Sequence, residues 1–255
     1  MDFEVFIGWD PREALAWNVA CASLQTKARR PVPVRPLGIQ QLTAAARWNR
    51  PTEMRGGVMW DVISNLPCST EFSIARFGVP LEASARWALF VDVDFLFLGD
   101  VWELMDAADP KYAVMVVKHE HRPAETEKMD GQIQRVYARK NWSSCMLWNM
   151  GHAVNTAQPW FEMLNTWHRD RLHAFEWVKD ELIGDLPGGA NWNFLVGSSD
   201  RNKYPKPRAL HYTAGTPDMA GFEHCQFASE WHRYAQVFMP EGGSGSVRMR
   251  TFHSR

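Results

Sequence analysis

WALFVDVDFLFLGD, residues 87–100, decides the fold class. Five apolar residues, Trp87, Ala88, Leu89, Phe90 and Val91, run up to two carboxylates, Asp92 and Asp94, which stand one residue apart. A second apolar run, residues 95–98, follows and stops at Gly99-Asp100. A short unbroken run rich in aromatic and β-branched side chains reads as a strand covered on both faces. Carboxylates are rarely buried without a partner, so two of them at such a strand's end call for a cation. Open α/β sheets bind their ligands at the carboxyl ends of the strands. The stretch therefore predicts a divalent-metal site at the C-terminal edge of a mostly parallel sheet.

Strand and helix patterns alternate on either side of it. Residues 4–9 form a first strand, and Asp10-Pro11-Arg12-Glu13 then starts a helix, with Asp as the cap and Pro at the first helical position. That helix runs to about Lys27, with Leu15, Val19 and Leu24 facing inward. Residues 32–37 are an edge strand, because their prolines cannot donate to a ladder on both sides. Residues 40–66, with Arg47, Arg50, Arg55 and Gly56-Gly57, read as loop and helix near a ligand mouth. Asp100 and Glu103 repeat the capping pattern before a short helix, and residues 112–117 and 144–149 are further strands. The intervening residues 118–142 are a charged excursion. A helix near Thr156 carries Trp160, Leu164 and Trp167, and residues 180–186 and 191–196 read as helix then strand. Gly242–Ser246 is a flexible run, and the basic residues 248–255 form a frayed tail. The expected class is α/β, with one domain over residues 1–240 and a tail over 241–255.

The chain's 255 residues suffice for a substantial core. A formal net charge of −1 leaves no general attraction to nucleic acid or anionic lipid, so an anionic ligand needs a local cluster. Thirteen tryptophans are unusually many; most are expected to fill the core, although tryptophan faces also suit sugar rings. Cys21, Cys68, Cys145 and Cys225 are far apart and form no CxxC pair. The chain opens on acidic residues where a secretion signal would be basic, and no apolar run approaches a membrane span of ~20 residues. A reduced, cytoplasmic protein is expected.

Carboxylates at i and i+2 on an extended end can turn toward one cation, and hard oxygen ligands suit Mg2+ or Mn2+ shared with substrate phosphates. His211, in ALHYTAGT, is the candidate third ligand, and an imidazole favours Mn2+ somewhat over Mg2+. The alternatives are a pair of capping or salt-bridged acids and a structural histidine.

With these residues in place, the chain resembles the GT-A glycosyltransferases, in particular the family 8-like nucleotide-sugar enzymes, over most of residues 3–217. The resemblance rests on VFIGWD with its terminal acid, on STEFSIARFGVP with Arg76, and on Asp92-Val93-Asp94 followed by GDVWEL. It continues through SSCMLWNMG, DELIGDLPGGANWN and HYTAG in the family's order. It implies a Rossmann-like domain in which Asp92, Asp94 and His211 hold Mn2+ (or Mg2+) against the diphosphate of a donor, first of all a UDP-sugar. It implies that Asp92 also meets the ribose, that Asp10, with Arg12 nearby, touches the base, and that Arg76 pairs with phosphate or supports the metal aspartates. Asp180 and Glu181 fall at the reacting sugar, and Asn149, Trp192, Asn193 and Gly215 are carried over as sugar, acceptor or nucleotide contacts. The implied reaction transfers the sugar to a glycan or other hydroxyl acceptor with retention of configuration. No nucleic-acid partner is expected.

One departure stands out. The family's histidine block continues to a lysine and a tryptophan that grip the diphosphate, whereas this chain reads Gly215-Thr216-Pro217-Asp218-Met219. Lys203, Lys206 or Arg208 are candidate replacements. KHEH, from Lys118 to His121, reads as a solvated loop and not a metal motif. The rival readings are a nucleotidyltransferase, for which GWDPRE is a poor phosphate loop, a haloacid-dehalogenase-type phosphatase, whose motif sits nearer the N-terminus, and a carbohydrate-binding relative without turnover.

Overall fold

The computed structural model describes residues 2–119, 139, 141–186, 189–196 and 206–239. The charged excursion over 120–138, Lys203, the Gly242–Ser246 run and the basic tail lie outside the described residues. A six-stranded sheet forms the centre, built from β1 (Phe3–Gly8), β2 (Val34–Leu37), β6 (Trp87–Val91), β8 (Val114–Val116), β9 (Cys145–Asn149) and β10 (Ile183–Asp185) in the order β10-β8-β9-β6-β1-β2. All neighbours are parallel except where β9 runs against β6 and β8. β2 is an edge strand, as its prolines require.

The β6 run is buried along its whole length because both faces of the sheet are covered. Ala88 and Phe90 join Phe6, Val114, Met146 and Trp148 on one face, while Trp87, Leu89 and Val91 join Val5, Ile7, Met115 and Leu147 on the other. This two-residue alternation between two cores is the geometry of a strand in a doubly covered sheet. A smaller sheet, with β7 (Phe95–Phe97) pairing β12 (Ala209–His211) and β12 pairing β11 (Phe194–Leu195), stands beside it. The helix Ala14–Lys27 packs on β7 and on the helix Ala228–Ala235, through Val19, Leu96, Leu210, Tyr212 and Trp231.

Seven of the tryptophans are buried and the other six are half-buried. None of the thirteen is exposed. Trp148 stacks on Trp177 with centroids 5.0 Å apart, and Trp160 stands edge-on to both.

Three expectations change. Residues 180–186 are a 3-10 turn, Asp180–Leu182, followed by β10, because Ile183 and Gly184 are drawn into the sheet beside Val114 and Met115. The helix expected near Thr156 is two helices, Ala153–Ala157 and Trp160–Thr166, parted at Gln158-Pro159, where the residue before proline is extended. Residues 40–66 contain only one short helix, Ile39–Ala44, and then a three-stranded sheet of β3 (Thr52–Arg55), β4 (Val58–Asp61) and β5 (Leu66–Pro67). Gly56 and Gly57, at φ +56° and +81°, make the two-residue turn of the β3–β4 hairpin, a backbone that glycine adopts without strain.

Arg50 is not at a ligand mouth but buried. Its Nε and Nη2 donate to Asp61 Oδ1 and Oδ2 at 2.7 and 2.6 Å, and its Nη1 donates to the Leu164 and Trp167 carbonyls at 2.9 and 2.8 Å. This fork ties the hairpin to the helix Trp160–Thr166. Burial opposes the charge on Asp61, but hydrogen bonds from Arg50 and Ser64 outweigh it and hold its carboxyl below the usual 3.8. A depressed native pKa contributes stability that is complete above the unfolded value and lost as pH falls through the native one. Asp61→Asn, which leaves a buried guanidinium without its counter-charge, should therefore cost about 3–5 kcal/mol at neutral pH. The gap to the parent protein should shrink in unfolding curves taken towards about pH 3; an unchanged gap would contradict the assignment.

Candidate functional site

The chain meets itself at the C-terminal edge of the main sheet. Asp92 leaves β6, Asp94 enters β7, and the antiparallel pairing of β7 with β12 sets His211 opposite Phe95. Backbone hydrogen bonds from Asp92 N–H to Ser144 O and from Tyr212 N–H to Asp94 O, both 3.0 Å, pin the crossing. His211 Nε2 lies 3.3 Å from Asp94 Oδ1 and 3.8 Å from Asp92 Oδ2. One ligand atom from each of the three lies within 4.8 Å of the other two. The imidazole is buried and stacks on Phe95 at 4.7 Å.

The hydrogen-bond partners settle which nitrogen of His211 is free. Ser144 Oγ donates to Asn141 O at 2.6 Å and so accepts from Asn193 Nδ2 at 2.9 Å. That turns Asn193 Oδ1 toward His211 Nδ1 at 3.0 Å, and an amide oxygen only accepts, so Nδ1 carries the hydrogen. In the neutral ring Nε2 then aims its lone pair at two carboxylates. Asp94 Oδ1 is buried and accepts no hydrogen bond among the described residues. A proton on Nε2 would relieve one of these contacts, whereas a divalent cation would relieve them all. Two carboxylate oxygens and an imidazole nitrogen fit Mn2+ or Mg2+.

Arg76 is built into the same corner. It is 8% exposed, its Nη1 lies 2.8 Å from Asp92 Oδ1 and donates to Ser143 O at 3.1 Å, and its Nε donates to Phe72 O. Ser143 Oγ bonds His173 Nδ1 at 2.9 Å, and His173 Nε2 faces Ser73 O at 3.1 Å. Burial, then the charges of Arg76 and Arg169, push His173 well below the usual histidine range, so it supports Arg76 as a neutral ring. Arg76 thus forms an ion pair with Asp92.

Glu13, which the sequence pattern marks only as a helix-start residue, belongs to this neighbourhood. Its Oε2 is buried with no hydrogen-bond partner among the described residues. Burial, then the charges of Asp94, Asp10 and Asp92 against the opposing pull of Arg12, drive its carboxyl up to about 8. A helix-start motif and a buried acid leave the same letters in the sequence, so nothing in the pattern singled it out.

The remaining candidates stand outside the triad itself. Asp10 is 1% exposed and accepts from Arg12 N, Nε and Nη2 and from Glu71 N, so its carboxylate is already saturated. Burial opposes that charge, but these donors outweigh it and lower its pKa. Arg12 is exposed and also donates to Ser69 O. Trp192 is 4% exposed and lies in the core, so its ring offers no sugar platform. Asn193 is wholly buried and acts on His211. Asn149 registers with Trp87, at the end of the sheet away from Asp92. Asp180 and Glu181 precede β10 and are exposed; Asp180 pairs with Arg139, whose carbonyl accepts from Trp142 N at 3.1 Å at the start of the turn that leads to Ser143 and Ser144. Gly215 makes room for Phe222, whose ring would lie 2.7 Å from a Cβ there. Arg208 is committed to Glu103 and packs against Gly99, and Lys206 is exposed.

No protein-family profile matches the chain. Among solved structures, it superposes on the WbbM bifunctional glycosyltransferase with a TM-score of 0.60 at 14% identity, over 91% of this chain and 49% of that one. The chain therefore spans about half the length of WbbM. It also superposes on galactosyltransferase LgtC in complex with donor and acceptor sugar analogues, with a TM-score of 0.54 at 15% identity, over 93% and 98% of the two chains. At these identities the likeness is one of fold, the mostly parallel sheet flanked by helices of GT-A glycosyltransferases. In sequence, the chain is 42% identical over 234 residues to Protein CDI of Arabidopsis thaliana, covering 90% of this chain and 84% of that one. At that identity and coverage, the chain belongs to the same family as Protein CDI.

Proposed function

We propose that this protein is a metal-dependent glycosyltransferase, family 8-like, that moves a sugar from a nucleoside diphosphate sugar to a hydroxyl acceptor. UDP is the leading base and retention the leading outcome. The reading rests on one observation above all: Asp92, Asp94 and His211 converge on a common point at the carboxyl edge of a glycosyltransferase-type sheet. Asp92, Asp94 and His211 would hold Mn2+ (or Mg2+), which when bound offsets the charge that develops on a departing diphosphate.

The chain's own residues then have defined tasks. Arg76 pairs with Asp92 and keeps it turned toward the shared point. Asn193 and Ser144 keep the proton of His211 on Nδ1. Asp10 and Arg12 order the turn after β1 that borders the same edge. Asp180 and Glu181 are proposed to face the reacting sugar. With retention one of them would stabilise positive charge at the anomeric centre, and with inversion one would be the general base. Residues 1–240 would form the catalytic domain, 241–255 a tail, and the setting would be cytoplasmic.

A second reading, a nucleotide-sugar binder without turnover, is favoured by the diphosphate grip. The lysine and tryptophan expected after the histidine are missing, and Arg208 is spent on Glu103.

A panel of UDP-sugars titrated with Mn2+, with UDP release followed in parallel, separates the readings: binding with release supports transfer, and binding without it supports the second. Absence of nucleotide binding sinks both. Asp94→Ala should lower Mn2+-dependent donor affinity at least about 100-fold with an unchanged circular-dichroism spectrum. Asn193→Ala, which touches no ligand atom directly, should weaken Mn2+ binding about 10–100-fold, and wild-type Mn2+ affinity in that variant would refute the tautomer argument. NMR of the first-formed product should show the donor's own anomer.

A further inference from the structure

A cleft of about 510 Å3 opens at the other end of the main sheet, lined among others by Pro80, Ser84, Arg86, Met150, Gly151 and Asn155. Arg86 precedes β6 and Gly151 follows β9, so the five residues of β6, roughly 16 Å of strand, separate the cleft from the metal triad.

Both walls are held by buried polar groups. On one, Glu4, 3% exposed, accepts from Ser84 N at 2.6 Å, Ala85 N at 2.7 Å and Ser84 Oγ at 3.2 Å. On the other, Asn155, 2% exposed, donates through Nδ2 to Ala113 O and Asn149 O at 2.7 and 2.8 Å. Asn149 donates through Nδ2 to Pro110 O and Tyr112 O, both at 3.1 Å. Two carbonyl acceptors apiece fix the amide orientations, and the oxygens face the other way. Asn149 Oδ1 and Asn155 Oδ1 are buried and accept no hydrogen bond among the described residues. Orphaned acceptors of this kind are costly unless a donor arrives from outside.

Gly151 and Arg86 complete the arrangement. A Cβ on Gly151 would lie 3.4 Å from Arg86 Nε and 3.6 Å from Asn149 Oδ1, so the glycine leaves a gap between a donor and an acceptor. Its φ is not positive, so the backbone does not demand glycine there. Arg86 is exposed and pairs with no carboxylate among the described residues, which leaves it free to swing outward and admit a ligand. An anion would suit Arg86 but meet two amide oxygens, and a cation would suit those oxygens but be repelled by Arg86. A hydroxyl satisfies both, because it donates to an amide oxygen while accepting from a guanidinium. Pro80, Ala83 and Met150 supply the apolar contacts that the C–H face of a sugar ring takes.

We propose that this cleft is a second carbohydrate site, remote from the metal triad, which holds a neutral saccharide of about one or two rings through its hydroxyls. The site stands apart from the sugar-transfer reading, since none of its residues touches Asp92, Asp94 or His211.

The test uses the full chain with 13C-labelled methionine methyls. It is titrated with neutral mono- and disaccharides of glucose, galactose, mannose, xylose and N-acetylglucosamine, free and linked to a carrier protein. At least one should shift the Met150 methyl and the Trp160 indole resonance; the form that binds tells whether the source is a free sugar or a conjugate. Arg86→Ala, a change at an exposed residue, should weaken that binding about tenfold. Gly151→Val should abolish it, and neither should move the melting temperature or UDP binding with Mn2+. No shift with any saccharide, the same shift with inorganic phosphate, or wild-type affinity in Arg86→Ala would overturn the proposal.

Discussion

Everything at the carboxyl edge of the sheet follows from bringing three electron-rich atoms together. Two carboxylate oxygens and the lone pair of His211 Nε2 repel one another, and the fold compels them to meet because β7 and β12 pair in register beside the end of β6. The surroundings are arranged to tolerate this. Arg76 supplies a fixed positive charge to Asp92, and His173 beneath it is kept neutral, so among the described residues the ion pair falls on one of the two carboxylates. Burial, with the charges of Asp94, Asp10 and Asp92 added to it, drives the Glu13 carboxyl up to about 8, so it adds little further charge near neutrality. Such a corner is a candidate place for a cation.

What the chain's letters made legible was the part governed by strong local rules. The unbroken apolar run of β6 and the abrupt acids after it could be read because a doubly covered strand has no polar face to blur the signal. Asp10-Pro11-Arg12-Glu13 announced the start of the first long helix, and the prolines of β2 announced an edge. His211 could be nominated from its context, but only the strand pairing brings it to Asp94.

The parts that stayed hidden were decided by contacts distant in sequence. The Gly56-Gly57 turn was a hairpin signal, yet β3 reads Thr-Glu-Met-Arg and is exposed throughout, so no alternation flanked the glycines. Arg50 looked like a ligand-mouth cation because its partner, Asp61, and the carbonyls of Leu164 and Trp167 are assembled by folding. Trp192 and Asn193 are adjacent letters with opposite fates, one filling the core and the other steering an imidazole. Trp192 ends a 3-10 turn and Asn193 follows it just ahead of β11, so neighbours in sequence are not neighbours in role. The buried tryptophans make the same point, since an aromatic-rich chain need not be a sugar-stacking one.

In the described six-stranded sheet β9 runs against both its neighbours, and this carries a consequence for how the molecule is made. Running against its neighbours, it delivers its beginning, Ser143 and Ser144, to the edge where β6 ends, so Arg76, Asp92 and Asn193 all lean on two consecutive serines. During synthesis the aspartates emerge long before those serines, and His211 later still. A nascent chain on the ribosome therefore carries the acids as ordinary solvated side chains, and the three-residue cluster forms only when the last third of the polypeptide has been threaded into place.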